Sequence, residues 1–527
     1  MKMPHSFFAS HLDRRSFLIA SATLAGWAIS GCSAAPRSAK PCPPLPAYPF
    51  QLGVASGEPS ADGMVLWTRL APLPLAGGGM PPEAVEVNWE IADDERFTSV
   101  VQQGIAVAAP ELAHSVHVEL AGLTADRWYF YRFRVGDACS PIGRTRTLPA
   151  ADALVQRLRL SVASCQHWES GLFTAYEHML KEDLDLVLFL GDYIYELEGR
   201  DGGVRKHVGP RLTTLDHYRT RHAQYRSDPA LQAMHAGAPW LVAYDDHEIE
   251  NNWAGDISQN SEVSRDDFLR LRAAGFQAYY EHMPLRLVSK PQGPNMHMYR
   301  SCDFGRLARL VMLDTRHYRT DQPCGDGEKT PTDAVMDPAG TMLGQQQRDW
   351  LFGQLAASPA QWNAIAQQVM MARVNRVDHL DGDGIRLEMD QWPGYEFERR
   401  RILKFLHDKK IANPVVLTGD IHSNWANDLI ADFDGLDGRI VAAEFVGTSI
   451  SAGGDGFDIF PKIEKLMAAN PFVKHRNNRR GYLLCTVDKQ QWRTDYRTVD
   501  YVRKPGSPIR TAATYVVEAG TAGLRRS

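Results

Sequence analysis

The sequence has no surplus of positive charge. Its 58 Lys and Arg stand against 63 Asp and Glu, a formal net charge of -5, so the basic face of a general nucleic-acid binder is not in the composition. Cysteine is sparse: seven in 527 residues is far below the density of a disulfide-held scaffold. One pair, Cys302 with Cys324, is the expectation for an oxidising compartment. Internal repeats and low-complexity tracts are missing beyond residue 155. The apolar run near the N-terminus is short of the ~20 residues that a membrane span needs. What is there, 44% hydrophobic and 23% charged residues, is the composition of a globular protein. The length calls for two to four units or one large α/β body.

The first thirty-one residues read as a targeting segment. In "DRRSFLIASATLAGWAISGC", Arg14 and Arg15 precede Ser16, Phe17 and Leu18 and an uncharged apolar stretch. This is a basic n-region followed by an h-region, of the twin-arginine type. Residues 1–31 are therefore expected to be a signal peptide read by the twin-arginine export machinery. The run ends in Ile29, Ser30, Gly31 and Cys32, which leaves two outcomes open: lipidation of Cys32 or ordinary cleavage nearby. The product is periplasmic or a lipoprotein on the outer side of the cytoplasmic membrane. Proline-rich residues 32–47 read as an extended linker.

Residues 48–150 contain short alternating segments, "GMVLWTRL", "AVEVNWEIAD", "SVHVELAGL" and "RWYFYRFRV". Turn signals separate them at the spacing of an immunoglobulin-like or fibronectin-like β-sandwich. From 151 to 515 apolar runs of four to six residues alternate with amphipathic segments, the pattern of α/β layers, and 516–527 reads as a C-terminal tail. Four of these runs end alike. "RLRLSVASCQHW" ends at Ser164 and Cys165, "LVLFLGDYIYE" at Asp192, "PWLVAYDDHEIENNW" at Asp245, Asp246 and His247, and "NPVVLTGDIHSNW" at Asp420 and His422. A fifth, "RLARLVMLDTRHYR", ends at Asp314, Arg316 and Arg319.

A lone Asp after a strand is a cap. Several strands that end in Asp, Cys, Tyr and His differ, because ligand sites of open α/β sheets lie outside the carboxyl ends of the strands. Carboxylates, imidazoles and a thiolate gathered there call for a cation. Hard oxygen donors suit ferric iron or calcium, and a thiolate suits a transition metal, so the mixture points to more than one metal with an Asp between them.

The segments "GDYIYE", "DDHEIENNW", "LDTRHYR" and "TGDIHSNW", preceded by "FQLGVASGEPSADGMVLWTRL", resemble PhoD-type alkaline phosphatases and phosphodiesterases, part of the calcineurin-like metallophosphoesterases. The resemblance extends from about residue 48 to about 500. It implies a four-layer β-sandwich flanked by helices, behind the N-terminal sandwich domain. It implies ferric iron held by Tyr195 and Cys165, Asp192 as the bridging carboxylate, Asp420 and His422 as metal ligands in the place of the last His-rich motif, Asp246 or Asn251 on the second metal, and iron together with calcium as the metals. It further implies attack of a metal-bound hydroxide on phosphorus, with release of phosphate from small organic mono- or diesters. Arg316, then Arg319, is the expected clamp on the phosphoryl oxygens. His247 either protonates the leaving alkoxide or orients the phosphate. Tyr193 is expected to pack, and a monomer is expected.

Other residues are less telling. "RTRHAQYRSD" (219–228) reads as a structured helix surface, and Asp378, Asp381 and Asp383 lack the closing Glu of an EF-hand. Trp392, Gly394 and Tyr395, with Asn424 and Trp425, are expected near the cleft, and the glycine-rich "GTSISAGG" (447–454) could cradle phosphate through its amides. Two other functions fit parts of the pattern: a phospholipase D-like phosphodiesterase, and a catalytically inert surface binding protein whose sandwich does the work.

Overall fold

The runs Leu186–Leu190, Trp240–Ala243, Trp362–Ala366 and Pro414–Thr418 are buried at every position. Strands with no wet face belong inside a parallel sheet covered on both sides. The computed structural model describes residues 44–379, 384–432 and 438–527. The signal segment, Cys32, and Asp381 and Asp383 lie outside the described residues.

Among those residues the larger of two main sheets has ten strands. Its centre is Leu158–Ala163, Leu186–Leu190 and Trp240–Ala243, all parallel. The second sheet has seven, and Ala308–Met312, Trp362–Ala366, Pro414–Thr418 and Ile440–Val446 run parallel within it.

The period of two along each strand divides the core. Leu186, Leu188 and Leu190 pack in one cluster with Leu310, Met312, Ala364 and Leu417 of the other sheet. Val187 and Phe189 face the other way, to Tyr218, Leu231 and Phe276 of the helices Leu215–Arg226, Pro229–Gly237 and Arg265–His282. Across the second sheet Val311, Ile365 and Val416 meet Leu351, Leu355, Ile402 and Leu406 of the helices Gly344–Ala356 and Glu396–Asp408. Each such large side chain, fully buried, contributes about 1.5–3 kcal/mol. The result is a rigid mixed α/β body in which the carboxyl ends of the two sets of parallel strands converge.

Three expectations change. Residues 48–150 do not form a sandwich standing apart from the rest. Val54–Gly57, Val65–Arg69 and Ser115–Glu119 extend the ten-stranded sheet through the parallel pairing of Gly57 with Trp240. A five-stranded sheet that includes Val85–Ala92, Val100–Ala108 and Trp128–Val135 packs on them through Val54, Leu66, Val118, Val87, Tyr131 and Phe133. The expected tail is sheet as well, since Ile509–Glu518 and Arg525–Arg526 form its far edge. Cys302 and Cys324 are both free thiols, as are the other described cysteines. Among the described residues no helix is long and apolar enough to cross a membrane.

Candidate metal centre

The strand ends are built tightly. Cys165, Asp192, Asp420 and His422 all have left-handed backbone, with φ of 59°, 59°, 65° and 52°. Non-glycine residues rarely adopt this conformation, and it persists where the surroundings over-determine it, typically at functional sites. Gly191, at φ 104°, permits the turn before Asp192; a Cβ there would lie 2.4 Å from that of Asp245. Gly419 brings the second sheet against the first, with space for a Cβ closed by Ser164 at 2.8 Å. Backbone bonds then tie neighbouring ends together: Cys165 N–H donates to the Gly191 carbonyl at 3.0 Å and Gln166 N–H to that of Asp192 at 3.1 Å.

Three sets of donors result, and within each the ligand atoms lie within 4.8 Å of one another: Cys165, Asp192 and His422; Asp192, Asp246 and His247; Asp245, Asp246 and Asp420. Asp192 is shared by the first two and Asp246 by the last two. Tyr195 stands among them, its hydroxyl donating to Asp192 Oδ2 at 2.8 Å and lying 3.1 Å from His422 Nε2. The Tyr193 ring instead packs against Phe189 and its hydroxyl meets His235 Nε2 at 2.9 Å. Asn251 donates its backbone N–H to Glu196 at 3.3 Å.

The electrostatics are those of a crowd of carboxylates short of cations. Burial, then Asp246, pushes the Asp192 carboxyl up to about 7. Burial also lifts Asp420 to about 7, against the pull of Arg316. Burial and Asp192 hold the Cys165 thiol and the Tyr195 hydroxyl well above their ordinary values. Burial disfavours charge on His247, yet Glu196, 2.6 Å from its Nδ1, together with Asp246 and Asp192, outweighs it and raises the imidazole well above its ordinary value. Asp192 Oδ1 and Asp245 Oδ2 are buried with no hydrogen-bond donor among the described residues. A buried acceptor left without a donor costs about 1–3 kcal/mol. Hard carboxylate donors, a phenol, a thiol and imidazoles aimed at one volume fit transition-metal and calcium chemistry.

Arg316 is not where a phosphate clamp belongs. Its side chain is 0% exposed beneath the acidic groups, with Nε donating to Asp245 at 2.6 Å and Nη1 to Asp390 at 2.8 Å. Nη2 lies 3.8 Å from Asp246 and 3.7 Å from Asp420. Nε and Nη1 are engaged in positioning carboxylates, while Nη2 is buried with no hydrogen-bond partner among the described residues. Arg319 is equally enclosed, donating to Tyr395 and to the Asp390 carbonyl.

Sequence reasoning also missed the floor of the site. Glu248 accepts backbone N–H bonds from Asp192, Tyr193 and Asp245, so one buried carboxylate sets two strand ends at once. Glu196, which accepts from Asn251 N–H, and Asp390, which accepts from Arg316, were missed as well, and the only signal for Glu248 was the run of acids in "DDHEIE". Residues 219–228 are not a surface. Arg221, His222 and Arg226 are fully buried, and Arg221 donates to the Tyr195 carbonyl and to that of Leu197. Asn424, Trp425 and Trp392 are likewise buried. Asp378 pairs with Arg476 at 2.6 Å.

Comparison with known proteins agrees in extent. Residues 160–496 match the family model described as PhoD-like phosphatase, and residues 35–149 match its N-terminal domain. Alkaline phosphatase D of Bacillus subtilis (strain 168) is 46% identical over 529 residues, spanning 99% of this chain and 90% of the relative. The solved structure titled "Structure of PhoD" superposes with a TM-score of 0.89 at 48% identity, covering 92% of this chain and 93% of that one.

Proposed function

Because this chain belongs to the PhoD-like phosphatase family and is a hydrolase of phosphate ester bonds, we propose that it is an exported, metal-dependent alkaline phosphatase and phosphodiesterase. The observation that carries the metal reading is Asp192, which belongs to two donor sets while its Oδ1 stays buried without a donor. On this reading Cys165, Tyr195 and Asp192 would hold ferric iron, Asp192 and either Asp246 or Asn251 would hold calcium, and Asp420 and His422 would complete the donor set. Metals held there would supply Lewis acidity and activate a water for attack near neutral pH. The protein supplies the rest. Glu248 and Arg316 fix the carboxylates, and Glu196 orients His247. So oriented, His247 is the group that would give a proton to a leaving alkoxide.

The layering of the two main sheets and their helices supports a four-layer metallophosphoesterase body, with residues 48–150 as an immunoglobulin-like or fibronectin-like sandwich that shares one sheet with it. Arg14, Arg15 and the apolar run to Cys32 support twin-arginine export, to the periplasm or to a lipid anchor on Cys32. The substrates are small phosphate mono- or diesters, and the working form is a monomer.

The test is elemental analysis and visible absorption of the purified protein, with hydrolysis of p-nitrophenyl phosphate and its bis ester before and after exhaustive chelation. Iron, colour and loss of turnover on chelation are expected. A colourless, iron-free protein that stays fully active after chelation overturns the reading.

A further inference from the structure

Beside the candidate metal centre lies a cavity of about 300 Å³ lined by His167, Arg200, Gly453, Gly454 and Arg503. His167 joins it to the centre: one side of its ring stands edge-on to Tyr195, 4.4 Å between centroids. Ser170 N–H donates to His167 Nδ1 at 3.2 Å, so in the neutral ring the proton is on Nε2 and available to an acceptor. The loop opposite is fixed to the same segment. Ser451 Oγ donates to the His167 carbonyl at 2.8 Å, and Ala452 N–H to that of Cys165 at 3.2 Å. Gly453 and Gly454 have φ of 84° and 69°, and a Cβ on Gly454 would lie 3.1 Å from Arg503 Nη2. The guanidinium therefore lies directly over bare backbone.

The charges do not cancel as they do elsewhere in the molecule. Arg200 and Arg503 are exposed, and neither guanidinium has an ion-pair or hydrogen-bond partner among the described residues. The nearby acids are engaged. Glu169 accepts from the backbone N–H groups of Arg200 and His207 at 2.9 and 3.0 Å, and Asp201 pairs with Lys206 at 2.6 Å. Asp455 accepts from the N–H of Val502 and of Arg503, at 2.7 and 3.0 Å, which holds the arginine at the rim. Two free planar forks lining one cavity, one of them over glycine backbone, are suited to a tetrahedral oxyanion.

We infer that this cavity binds a second phosphate of the substrate, carried on the same molecule as the ester being cleaved. The inference rests on the phosphatase reading above and adds to it a substrate class: bisphosphates are bound ahead of isolated monoesters.

The experiment compares propane-1,3-diol bisphosphate with its monophosphate, following phosphate release by the metal-loaded full chain and by Arg200→Ala, Arg503→Ala and the double variant. The wild type is expected to prefer the bisphosphate, mainly through KM, and the preference is expected to weaken as salt is raised. The double variant is expected to lose about tenfold in the ratio of the two kcat/KM values, from two partly exposed charge-assisted contacts. Both arginines are exposed, so unaltered melting temperatures check that the variants fold. A wild type that cleaves both compounds with no preference, or a double variant with an unchanged ratio, overturns the subsite and leaves the phosphatase reading standing. Hydrolysis of neither compound overturns both.

Discussion

Arg316→Met separates the two roles that a guanidinium could have in this site. In the structure Arg316 is 0% exposed, and its partners Asp245 and Asp390 are 1% and 4% exposed at 2.6 and 2.8 Å. Methionine fills much of the volume but carries no charge, so Asp245 loses its cation while keeping its desolvation, and Asp390 keeps only Arg319, 3.0 Å away. Breaking a buried pair from one side costs about 3–5 kcal/mol. Asp245 can recover part of this by taking a proton, at about 1.4 kcal/mol per unit of pKa shift, but a protonated Asp245 no longer serves the acidic cluster. The variant is thus expected to unfold at lower denaturant and to lose metal together with activity. Arg316→Lys restores the charge without the planar fork and should fall between the two. The assay is denaturant unfolding followed by tryptophan fluorescence, with metal content and kcat on p-nitrophenyl phosphate measured on the same samples. A methionine variant with wild-type unfolding and full metal, but with kcat down 100-fold or more, would refute the positioning role and return Arg316 to the substrate.

Gly191→Ala is expected to destabilise by at least ~2 kcal/mol, because the left-handed turn alone costs an L-residue about 1–2 kcal/mol and the new methyl meets Asp245 at 2.4 Å; a wild-type melting temperature for this variant contradicts the account. Tyr195→Phe should abolish visible absorption while leaving the fold intact, since the Tyr195 hydroxyl bonds only within the site; retained colour would assign the chromophore elsewhere. Acid should weaken the fold through buried neutral histidines. His222 is held down to about 3, mainly by burial, and His235 and His282 are lowered well below their ordinary value for the same reason. Each binds a proton more readily unfolded than folded, so its contribution is complete above pH 6.5 and is lost as pH falls below it, at about 1.4 kcal/mol per pH unit per histidine. A melting temperature that is flat from pH 7 to pH 5 would exclude this.

What the sequence made legible was what is local. "LVLFLGDYIYE" contains a doubly buried strand, the glycine that turns it and the acid at its tip, and four such segments suffice to suggest that Cys165, Asp192, Asp246 and His422 meet. Depth was not legible. Arg316 and Arg319 look like a substrate clamp in "DTRHYR", and only packing shows that their forks end on Asp245 and Asp390 below the acidic surface. The same holds for Arg221, whose destination is the Tyr195 carbonyl, and for Glu248, an acid among acids until its three amide donors are seen. Sheet membership of residues 54–69 and 115–119 was hidden too, because it rests on one long-range pairing, Gly57 with Trp240. An alternating pattern reveals a half-buried strand but says nothing of its neighbour.

The strand order also sets a timetable for synthesis. Leu158–Ala163, which leads into Cys165, takes its second sheet neighbour from Gly481–Val487, and that strand is followed outward by Gln491–Val499 and Ile509–Glu518. Until Gly481–Val487 has left the ribosome, the Cys165 strand is an open edge with unpaired backbone groups. The donor cluster is consequently closed only once Gly481–Val487 has been made, and a nascent chain arrested before residue 480 lacks the strand that covers this edge.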